Sequence, residues 1–274
     1  MQASVGWSPP GGALGTLLES SQERVRVLHR DAGKLAERAA LAPGRPPFAA
    51  ALRAGLSVAV IAEIKRRSPS KGAIAPALGA AEQAAAYAAG GAAAISVLTE
   101  PTQFGGTLAD LTAAASAGVP LLRKDFIVDR LQLLEAVANG ASAALLIVRS
   151  LPSERIAELY AECALLGLDA LVEVHDEDEL RVAIECGCAV IGVNNRNLET
   201  LELDDAVCAR LVPNVPAQTI AVYESGVETR EDVMRAAGLG ADAVLVGTAL
   251  SAHANAPAGV RALADVPRRG RRGS

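Results

Sequence analysis

The chain has 274 residues, of which 51% are hydrophobic, 21% charged and 3% aromatic. This composition is typical of a globular protein with a large aliphatic core and argues against an intrinsically disordered chain. The formal net charge of −5 argues against a general attraction to nucleic acid. The longest apolar stretch, residues 84–98, contains Gly90 and Gly91 and is too short to cross a bilayer. We therefore expect neither nucleic acid nor a membrane as a partner.

The N-terminal part of the chain precedes any repeating pattern. Residues 1–12 lack the basic and apolar regions of a secretory signal, so we expect a flexible N-terminus on a cytoplasmic protein. In residues 13–41, leucines and valines recur at helical spacing opposite polar side chains, which predicts a helix laid across one end of the domain. Proline and glycine in residues 42–47 predict a linker. We therefore expect residues 13–50 to form a helical extension with its linker.

From residue 51 to residue 266, short apolar segments alternate with longer amphipathic ones. This alternation is typical of a parallel sheet covered by helices. The predicted strands are Ser57–Lys65, Ala93–Leu98, Pro120–Lys124, Ala143–Val148, Asp169–Glu173, Val190–Val193, Thr219–Tyr223 and Ala243–Val246. The predicted helices lie near residues 80–89, 107–117, 129–139, 153–166, 177–186, 204–211, 229–237 and 256–265.

Eight strand–helix units predict an α/β fold of the (βα)8 TIM-barrel type, built as a single domain with the extra N-terminal helical segment ahead of it. The alternative is a doubly wound sheet, which requires a glycine-rich phosphate turn after its first strand. In this chain the corresponding residues 66–72 are mostly polar and basic. The closed barrel is therefore the favoured prediction.

Cysteine and histidine usage bears on metals and disulfides. The chain contains four cysteines and three histidines, with no C-x-x-C pair and no clustered histidines. This pattern predicts neither a metal site nor a disulfide framework. The basic residues 267–274 follow the last predicted helix, and we expect them to form a flexible, solvated tail.

Charged and polar side chains end five of the predicted strands, at the edge where barrels of this type carry their active sites. These side chains are Glu63, Lys65, Lys124, Glu173, His175, Asn194, Arg196 and Glu224. Because side chains alternate faces along a strand, Glu63 and Lys65 point the same way, as do Glu173 and His175. One such residue taken alone fits a surface salt bridge. Lysines and glutamates on several strands predict a mutually neutralising cluster.

Small residues follow the last two predicted strands. Ser225 and Gly226 come after the seventh strand, and Gly247 and Thr248 come after the eighth. At these positions the backbone N–H groups of a barrel can close around a phosphate. Ser68, in the basic turn after the first strand, could add a hydroxyl contact. The pattern predicts a phosphate site, although glycines also end strands in proteins that lack one.

Seven segments, in order and in register with the predicted strand ends, resemble the indole-3-glycerol phosphate synthase family. They are IAEIKRRSPSKG (61–72), ISVLTEPTQFGG (95–106), LLRKDFIV (121–128), LVEVHDE (171–177), IGVNNRNLET (191–200), ESG (224–226) and VLVG (244–247). The resemblance runs from about Phe48 to Leu250. Residues 13–41 match the family's N-terminal extension in placement only, and residues 251–274 add nothing to the resemblance.

The resemblance implies a cytoplasmic carbon–carbon lyase of tryptophan biosynthesis that works without a cofactor. Its substrate is a sugar phosphate, 1-(2-carboxyphenylamino)-1-deoxyribulose 5-phosphate, which loses carbon dioxide and water to give indole-3-glycerol phosphate. By resemblance, Lys124 is the general acid for the carbonyl, and Lys65 pairs with the substrate carboxylate. Glu63 and Glu173 manage protons and stabilise the cationic intermediate, and which of them serves which step stays open.

The remaining implied roles concern binding. Asn194 and Glu224 hold substrate hydroxyls and the lysines. The implied substrate- and phosphate-binding residues are Ser68, Phe104, Phe126, Arg196, Ser225, Gly226, Gly247 and Thr248. Phe104 and Phe126, with Leu145 or Leu146, would sandwich the aromatic ring, although all of these side chains also suit an ordinary core.

Two alternatives differ from this reading. Phosphoribosylanthranilate isomerase shares the barrel and the phosphate site, but it should carry a cysteine at the end of its first strand, where this chain has Glu63 and Lys65. A catalytically silent barrel that binds a sugar phosphate or a partner protein would be missing a lysine or a glutamate, and none is missing.

We expect a monomer or weak oligomer, with docking to another tryptophan-pathway enzyme left open. Tyr223, where the family usually has a small residue, should point towards the helices.

Overall fold

The strands of this computed structural model close into one parallel barrel; residues 7–68, 72–74 and 79–271 are described. The barrel strands are β1 Ala59–Ile64, β2 Ala94–Leu98, β3 Leu121–Lys124, β4 Ala143–Ile147, β5 Asp169–Val174, β6 Val190–Asn194, β7 Ile220–Glu224 and β8 Ala243–Val246. Each strand pairs with the next along the chain, and β1 pairs with β8 to complete the ring. The predicted TIM barrel is confirmed, and the doubly wound alternative is wrong because an open sheet lacks this closing pair.

Helices follow the strands as the hydrophobic pattern predicted. Their bounds are α1 Gly12–Leu28, α2 Ala32–Ala40, α3 Phe48–Arg53, α4 Ala80–Ala89, α5 Leu108–Ala114, α6 Arg130–Ala138, α7 Ser153–Leu165, α8 Glu177–Glu185, α9 Ala206–Leu211, α10 Arg230–Leu239, α11 Thr248–Ser251 and α12 Ala256–Leu263. Capping boxes begin three of them, at Thr107, Asp129 and Thr229. These side chains accept hydrogen bonds from backbone N–H groups of the first helical turn, which have no partner within the helix.

The strands separate two apolar layers. Ile61 faces the inside of the barrel, whereas its neighbours Val60 and Ala62 pack against the helices outside. The same alternation recurs around the ring because successive side chains in a strand point to opposite faces. Each strand is therefore buried on both sides, which explains its nearly continuous aliphatic sequence.

The N-terminal extension differs from the single helix that we predicted across one end of the barrel. Helix α1 lies at the carboxyl ends of the strands, where Ser21 hydrogen-bonds the carbonyl of Phe126. Helix α2 packs on the outside of the barrel against α6. Helix α3 lies at the amino ends, where the N–H of Ala49 donates to Asp169 at 2.9 Å. The extension therefore runs from one end of the barrel to the other instead of crossing one end.

Described residues near both chain ends contact the barrel, and the flexibility that we expected of these ends stays a prediction. Near the N-terminus, Trp7 Nε1 donates to the carbonyl of Arg149 at 3.3 Å. Near the C-terminus, Arg271 forms an ion pair of 2.8 Å with Asp242, and its side chain is 3% exposed. Arg268 hydrogen-bonds backbone carbonyls at the amino end of the barrel. Arg268 and Arg271 thus donate to backbone carbonyl groups of the barrel, which composition alone could not predict. Residues 1–6 and 272–274 lie outside the described range.

Membrane segments were also sought among the helices. Within the described ranges, no helix is both long enough and apolar enough to cross a membrane.

Candidate active site

A cavity of about 230 Å³ opens at the carboxyl ends of the strands. The predicted site residues that line it are Glu63, Lys65, Phe104, Lys124, Phe126, Glu173, Asn194, Arg196, Glu224, Ser225, Gly226, Gly247 and Thr248. Ser68 is buried in a short hairpin after β1 and does not line the cavity in the described part of the chain. The structure therefore brings all of the predicted site residues except Ser68 around one cavity, as we expected of residues at strand ends.

Glu63 and Lys65 form an ion pair at the end of β1, as the alternation of side chains predicted. Lys65 Nζ lies 3.0 Å from Glu63 Oε1, and Glu63 is only 3% exposed. Gly247, after β8, leaves room for this pair. A Cβ there would collide with Glu63 Oε1 and lie 2.8 Å from Lys65 Nζ. The ion pair therefore explains why residue 247 has no side chain, whether or not a phosphate binds there.

Lys124 lies between two buried carboxylates. Its Nζ donates to Glu173 Oε2 at 2.8 Å and to Glu224 Oε2 at 3.2 Å. Burial by itself would lower the pKa of Lys124, but the surrounding glutamates outweigh burial and hold this pKa above its ordinary value. Lys124 is therefore a cation at neutral pH.

The two carboxylates beside Lys124 have different surroundings. Glu173 Oε1 accepts a hydrogen bond from Asn194 at 3.1 Å and lies 3.4 Å from His175 Nε2. Glu224 Oε1 is buried and has no hydrogen-bond partner in residues 7–68, 72–74 or 79–271. Burial would raise the pKa of both groups. Cationic neighbours lower the pKa of Glu173, whereas burial and the nearby Glu173 charge keep the pKa of Glu224 raised.

Glu224 packs over a glycine of the neighbouring strand. The register pairs Glu224 with Asn194 across β6 and β7. A Cβ on Gly192, two residues before Asn194 and on the same face, would collide with Glu224 Oε1. Gly192 was not predicted as a site residue, although strand parity placed it on the inner face. Its missing side chain makes room for the carboxylate.

Asn194 connects the charged cluster to the turn after β7. Its Oδ1 accepts hydrogen bonds from the backbone N–H of Arg196 at 2.9 Å and from the Ser225 hydroxyl at 2.7 Å. Because Oδ1 is occupied in this way, the amide nitrogen faces Glu173. Ser225 has a φ of 66°, in the left-handed region that side chains other than glycine rarely adopt. The hydrogen bond to Asn194 helps to hold this strained turn.

Phe104 and Phe126 form an apolar wall of the cavity, with ring centroids 6.3 Å apart. Leu145 also lines the cavity, whereas Leu146 packs outside the barrel against the helices, which decides between the two leucines. Glu100, which sequence reasoning missed, is fully buried after β2. Its carboxylate accepts the backbone N–H of Phe104 at 3.1 Å and thereby holds the loop that carries this ring.

A second buried charge cluster, also missed, lies next to Lys124. The fully buried Asp125 carboxylate accepts two hydrogen bonds from Arg24 of α1, at 2.8 and 2.9 Å, and one from Arg123 at 3.0 Å. Burial would raise the pKa of Asp125, but the two arginines hold it well below its ordinary value. Helix α1 is thus fastened to the residue between Lys124 and Phe126. No local pattern could reveal a contact between such distant parts of the chain.

The sequence of residues 14–263 matches one family model, described as indole-3-glycerol phosphate synthase. The chain belongs to the indole-3-glycerol phosphate synthase family. This family consists of decarboxylating lyases of tryptophan biosynthesis that act on a small phosphate-bearing substrate. The family resemblance noted in the sequence is therefore confirmed over most of the chain.

Relatives of this family resemble the chain along most of their length. "Indole-3-glycerol phosphate synthase 1" of Streptomyces coelicolor is 52% identical over 218 residues, which are 79% of this chain and 81% of the relative. The synthase of Parafrankia sp. is 48% identical over 240 residues, 86% of this chain and 89% of the relative. The synthase of Rhodococcus opacus is 52% identical over 213 residues, 77% of this chain and 78% of the relative.

Solved structures support the fold at much lower identity. A tryptophan synthase structure from M. tuberculosis has a TM-score of 0.61 and 17% identity, and the match covers 80% of this chain and 98% of the other. A 3-hexulose-6-phosphate synthase has a TM-score of 0.60 and 18% identity, with 75% and 98% covered. At these identities the similarity shows the barrel and nothing about activity.

Membership of the indole-3-glycerol phosphate synthase family sets the isomerase alternative aside. The end of β1 carries Glu63 and Lys65, and no cysteine lines the described cavity. Tyr223 packs outside the barrel with Cys208 and other residues of the outer layer, as strand parity predicted. The departure at Tyr223 therefore leaves the wall of the cavity unchanged.

Proposed function

We propose that this chain converts 1-(2-carboxyphenylamino)-1-deoxyribulose 5-phosphate into indole-3-glycerol phosphate with release of carbon dioxide and water. The observation that carries the proposal is the position of Lys124, whose Nζ lies 2.8 and 3.2 Å from two buried carboxylates at the cavity wall. The same cavity combines a second lysine with an apolar wall. That combination suits a substrate with a carboxylate, an aromatic ring and a polar phosphorylated chain.

Substrate binding uses both sides of the cavity. Phe104 and Phe126 take the aromatic ring between apolar surfaces, with Leu145 on the inner wall. Lys65 pairs with the substrate carboxylate, which is anionic until it leaves as carbon dioxide. In this arrangement the ring carbon that bears the carboxylate is held near the carbonyl that it attacks, so the reaction benefits from proximity.

Ring closure needs an acid at the carbonyl oxygen, and Lys124 is the group that we assign to it. The neighbouring glutamates keep Lys124 cationic, so its Nζ–H can donate a hydrogen bond to the carbonyl. We assign the same group as the donor of the proton when the carbon–carbon bond forms. The amine left by this transfer stays beside Glu173 and Glu224. These carboxylates orient the lysine and stabilise the cationic intermediate that develops on the substrate nitrogen.

Decarboxylation and dehydration complete the reaction. The carboxylate leaves as carbon dioxide and its bonding electrons return to the ring. The hydroxyl formed from the carbonyl then leaves as water, and the loss of a proton restores aromaticity. Glu63 and Glu173 are the proposed proton carriers for these steps, with Lys65 assisting dehydration. Asn194 and Glu224 hold substrate hydroxyls and the lysines. No step in this scheme requires a cofactor.

The phosphate is assigned to the turns after β7 and β8. The proposed contacts come from Ser225, Gly226, Gly247 and Thr248, with Arg196 as a nearby cation and Ser68 from the hairpin after β1. What supports this assignment is that all except Ser68 line the same cavity, on the side formed by the loops after β6, β7 and β8. Backbone N–H groups at such turns suit an anion.

Domain organisation, cellular place and partners complete the proposal. We propose a single catalytic barrel over residues 51–266, preceded by the extension of residues 13–50, working in the cytoplasm as a monomer or weak oligomer. The family supports a small phosphate-bearing substrate. The specific substrate that we propose is the sugar phosphate named above. Size-exclusion chromatography of mixed enzymes tests whether the chain docks to another tryptophan-pathway enzyme.

The first experiment follows the fluorescence of indole-3-glycerol phosphate after the substrate is mixed with the purified chain. Wild type should form product, and Lys124→Ala should lose at least about 100-fold in kcat because the general acid is missing. His29→Asn is the matched control, since His29 is exposed and lies outside the cavity. Far-UV and near-UV circular dichroism of each variant establish that the fold is intact.

Three outcomes are informative. Product from wild type and the control, with loss in Lys124→Ala, supports both the activity and the acid. Product from all three proteins would contradict the role of Lys124 only. No product from folded wild type would contradict the synthase activity and leave the catalytically silent barrel as the better account.

A further inference from the structure

A histidine–glutamate pair lies behind Glu173, on the side away from Lys124. His175 follows β5, and its side chain is 14% exposed. Its Nδ1 lies 3.0 Å from Glu179 Oε2, and its Nε2 lies 3.4 Å from Glu173 Oε1. His175 is not among the residues that line the described cavity. Each ring nitrogen therefore faces a different carboxylate.

Glu179 is fixed where it meets the histidine. It belongs to the first turn of α8, and its Oε2 also accepts the backbone N–H of His175 at 2.8 Å. Its own N–H donates to the capping residue Asp176 at 2.8 Å. Glu179 is 8% exposed. The start of α8 and the end of β5 thus fix the Glu179 carboxylate next to the imidazole of His175.

The two carboxylates beside the ring favour one protonation state of His175. An ionised carboxylate only accepts hydrogen bonds, so a ring nitrogen that faces one carries a proton. Nδ1 of His175 hydrogen-bonds Glu179, whereas Nε2 is buried 3.4 Å from Glu173 Oε1, at ion-pair distance, and has no hydrogen-bond partner among the described residues. A neutral imidazole would present a lone pair to one of these oxygens. The imidazolium is the form that matches both.

We propose that His175 is a positioning residue for this reaction: clamped as an imidazolium between Glu179 and Glu173, it holds the Glu173 carboxylate ionised and aimed at Lys124. This inference rests on the role given to Glu173 in the proposed function. His175 itself touches neither substrate nor reacting atoms. It acts through Glu173, as a buried cation acts on a neighbouring acid.

The electrostatic surroundings agree with this geometry. Burial lowers the pKa of His175, but the charges and hydrogen bonds of Glu173 and Glu179 outweigh burial and raise it to about 10. These two carboxylates are the charged groups that face the ring. Lys124 from β3 contacts the other oxygen of Glu173, Oε2, and the amide of Asn194 from β6 donates to Oε1, the oxygen that His175 also faces.

The histidine also explains why the two carboxylates beside Lys124 differ. Glu173 has a lysine on one side and a histidine on the other, so its pKa is lowered. Glu224 shares the lysine, but one of its oxygens has no hydrogen-bond partner among the described residues, and its pKa is raised. Beyond the shared Lys124, the contacts of Glu173 with His175 and Asn194 thus favour the ionised form of Glu173 over that of Glu224.

A purely structural role is the competing explanation. In that account, the contact between His175 and Glu179 only joins the end of β5 to the start of α8. Its loss would destabilise the fold and lower kcat equally at every pH. Ionisation of Glu173 would not change, so the pH profile would keep its shape. The two explanations therefore differ in a measurable way.

The protonation state is tested without any activity. In protein labelled with ¹⁵N at histidine, the ring signals come in only three pairs, one pair from each of the three histidines of the chain, and His175→Asn identifies the pair of interest. We expect both ring nitrogens of His175 to be protonated at pH 8, where a free imidazole is neutral. A neutral tautomer at pH 8 would overturn the proposal, whether or not the chain proves to be a synthase.

The functional consequence is tested by pH profiles of kcat for wild type, His175→Asn and Glu179→Gln, with His29→Asn as the control. Loss of the imidazolium raises the pKa of Glu173, so the acidic limb of the profile should move up by about one pH unit in His175→Asn, which is about a tenfold loss of kcat on that limb. Glu179→Gln should shift it in the same direction by less, because the ring keeps one carboxylate. His29→Asn should match wild type.

The outcomes separate this inference from the proposed function. A lower kcat with an unshifted limb in His175→Asn would overturn the positioning role and favour the structural one. If folded wild type makes no product, the proposed function fails, while the ring protonation measured by NMR still decides whether the imidazolium clamp exists.

Discussion

Two buried charge clusters meet at the end of β3, and they are built differently. The first, which we term the reactive cluster, contains Lys124, Glu173 and Glu224 and borders the cavity. The second, the anchoring cluster, contains Arg123, Asp125 and Arg24 and joins the barrel to α1. Alternation along the strand directs Lys124 to one face and Arg123 to the other.

The clusters differ in how completely their carboxylates are hydrogen-bonded. In the anchoring cluster, Arg123 donates to Asp125 at 3.0 Å and to Glu135 at 2.8 Å, and Thr99 donates to Asp125 at 2.7 Å. In the reactive cluster, Glu224 Oε1 is buried without a hydrogen-bond partner in the described part of the chain. Both oxygens of the Asp125 carboxylate are hydrogen-bonded, and the buried atom of that cluster without a partner among the described residues is a donor, Arg24 Nε. A fully hydrogen-bonded carboxylate holds structure, whereas Glu224 keeps an acceptor available to a ligand.

The largest effect on stability is expected in the anchoring cluster. Asp125→Ala leaves Arg123, which is 1% exposed, and Arg24 without their shared carboxylate. Because Arg24 loses its carboxylate partner and the buried Arg123 keeps only Glu135, the free energy of unfolding should fall by about 3 kcal/mol. Urea unfolding followed by circular dichroism measures this change. A loss below about 1 kcal/mol, the range of exposed ion pairs, would contradict an anchoring role.

The next effect concerns the space that the reactive cluster needs. Gly192→Ala places a Cβ against Glu224 Oε1 and should displace the carboxylate. Because misplacement of an active-site group by about 1 Å lowers rates on the order of 100-fold, kcat should fall towards that size with the fold retained. Gly33→Ala is the matched control, since no atom lies within 4 Å of its Cβ position in α2. Equal activity in both variants would mean that the position of Glu224 is not needed for catalysis.

The smallest effect is a gain in stability within the reactive cluster. The pKa of Glu224 lies above its ordinary value, because burial disfavours the charge. The stability that the protonated Glu224 side chain gives to the fold is therefore fully present below the unfolded pKa of about 4.3. It is lost as pH rises through the folded pKa. Glu224→Gln should thus be more stable than wild type by about 1 kcal/mol at pH 8, but not at pH 4.

Urea unfolding of wild type and Glu224→Gln at the two pH values checks this sign, and the fluorescence assay should show reduced kcat in the variant. Loss of stability at pH 8 would mean that the Glu224 charge stabilises the fold, as the Asp125 charge does. The contrast between the two clusters would then be wrong.

Much of the fold and of the reactive cluster could be predicted from the sequence. Strand parity placed Glu63 beside Lys65, and the strand-end rule placed Lys124, Glu173 and Glu224 around one cavity. Both predictions depend on the short-range period of a strand and on the shared direction of parallel strands. Neither requires knowledge of which distant residues touch.

The anchoring cluster could not be predicted in this way. Arg24 and Asp125 are about a hundred residues apart in sequence, and an arginine in an amphipathic helix usually faces solvent. The same holds for Arg271, which pairs with Asp242 although its composition suggested a solvated tail. Such contacts depend on how the helices and chain ends pack on the barrel.

The sequence by itself thus determined the strand–helix alternation, the closed barrel and the charged inner ends of its strands, because these follow from local periodicity and from the single direction of a parallel sheet. Only the tertiary structure decided how α1 to α3 are distributed along the barrel, which carboxylate beside Lys124 is backed by His175, and why Gly192 and Gly247 lack side chains. Each of these depends on distances of a few ångström between residues that are far apart in the chain. Burial then makes those distances important, because a charge removed from water is governed by its nearest neighbours.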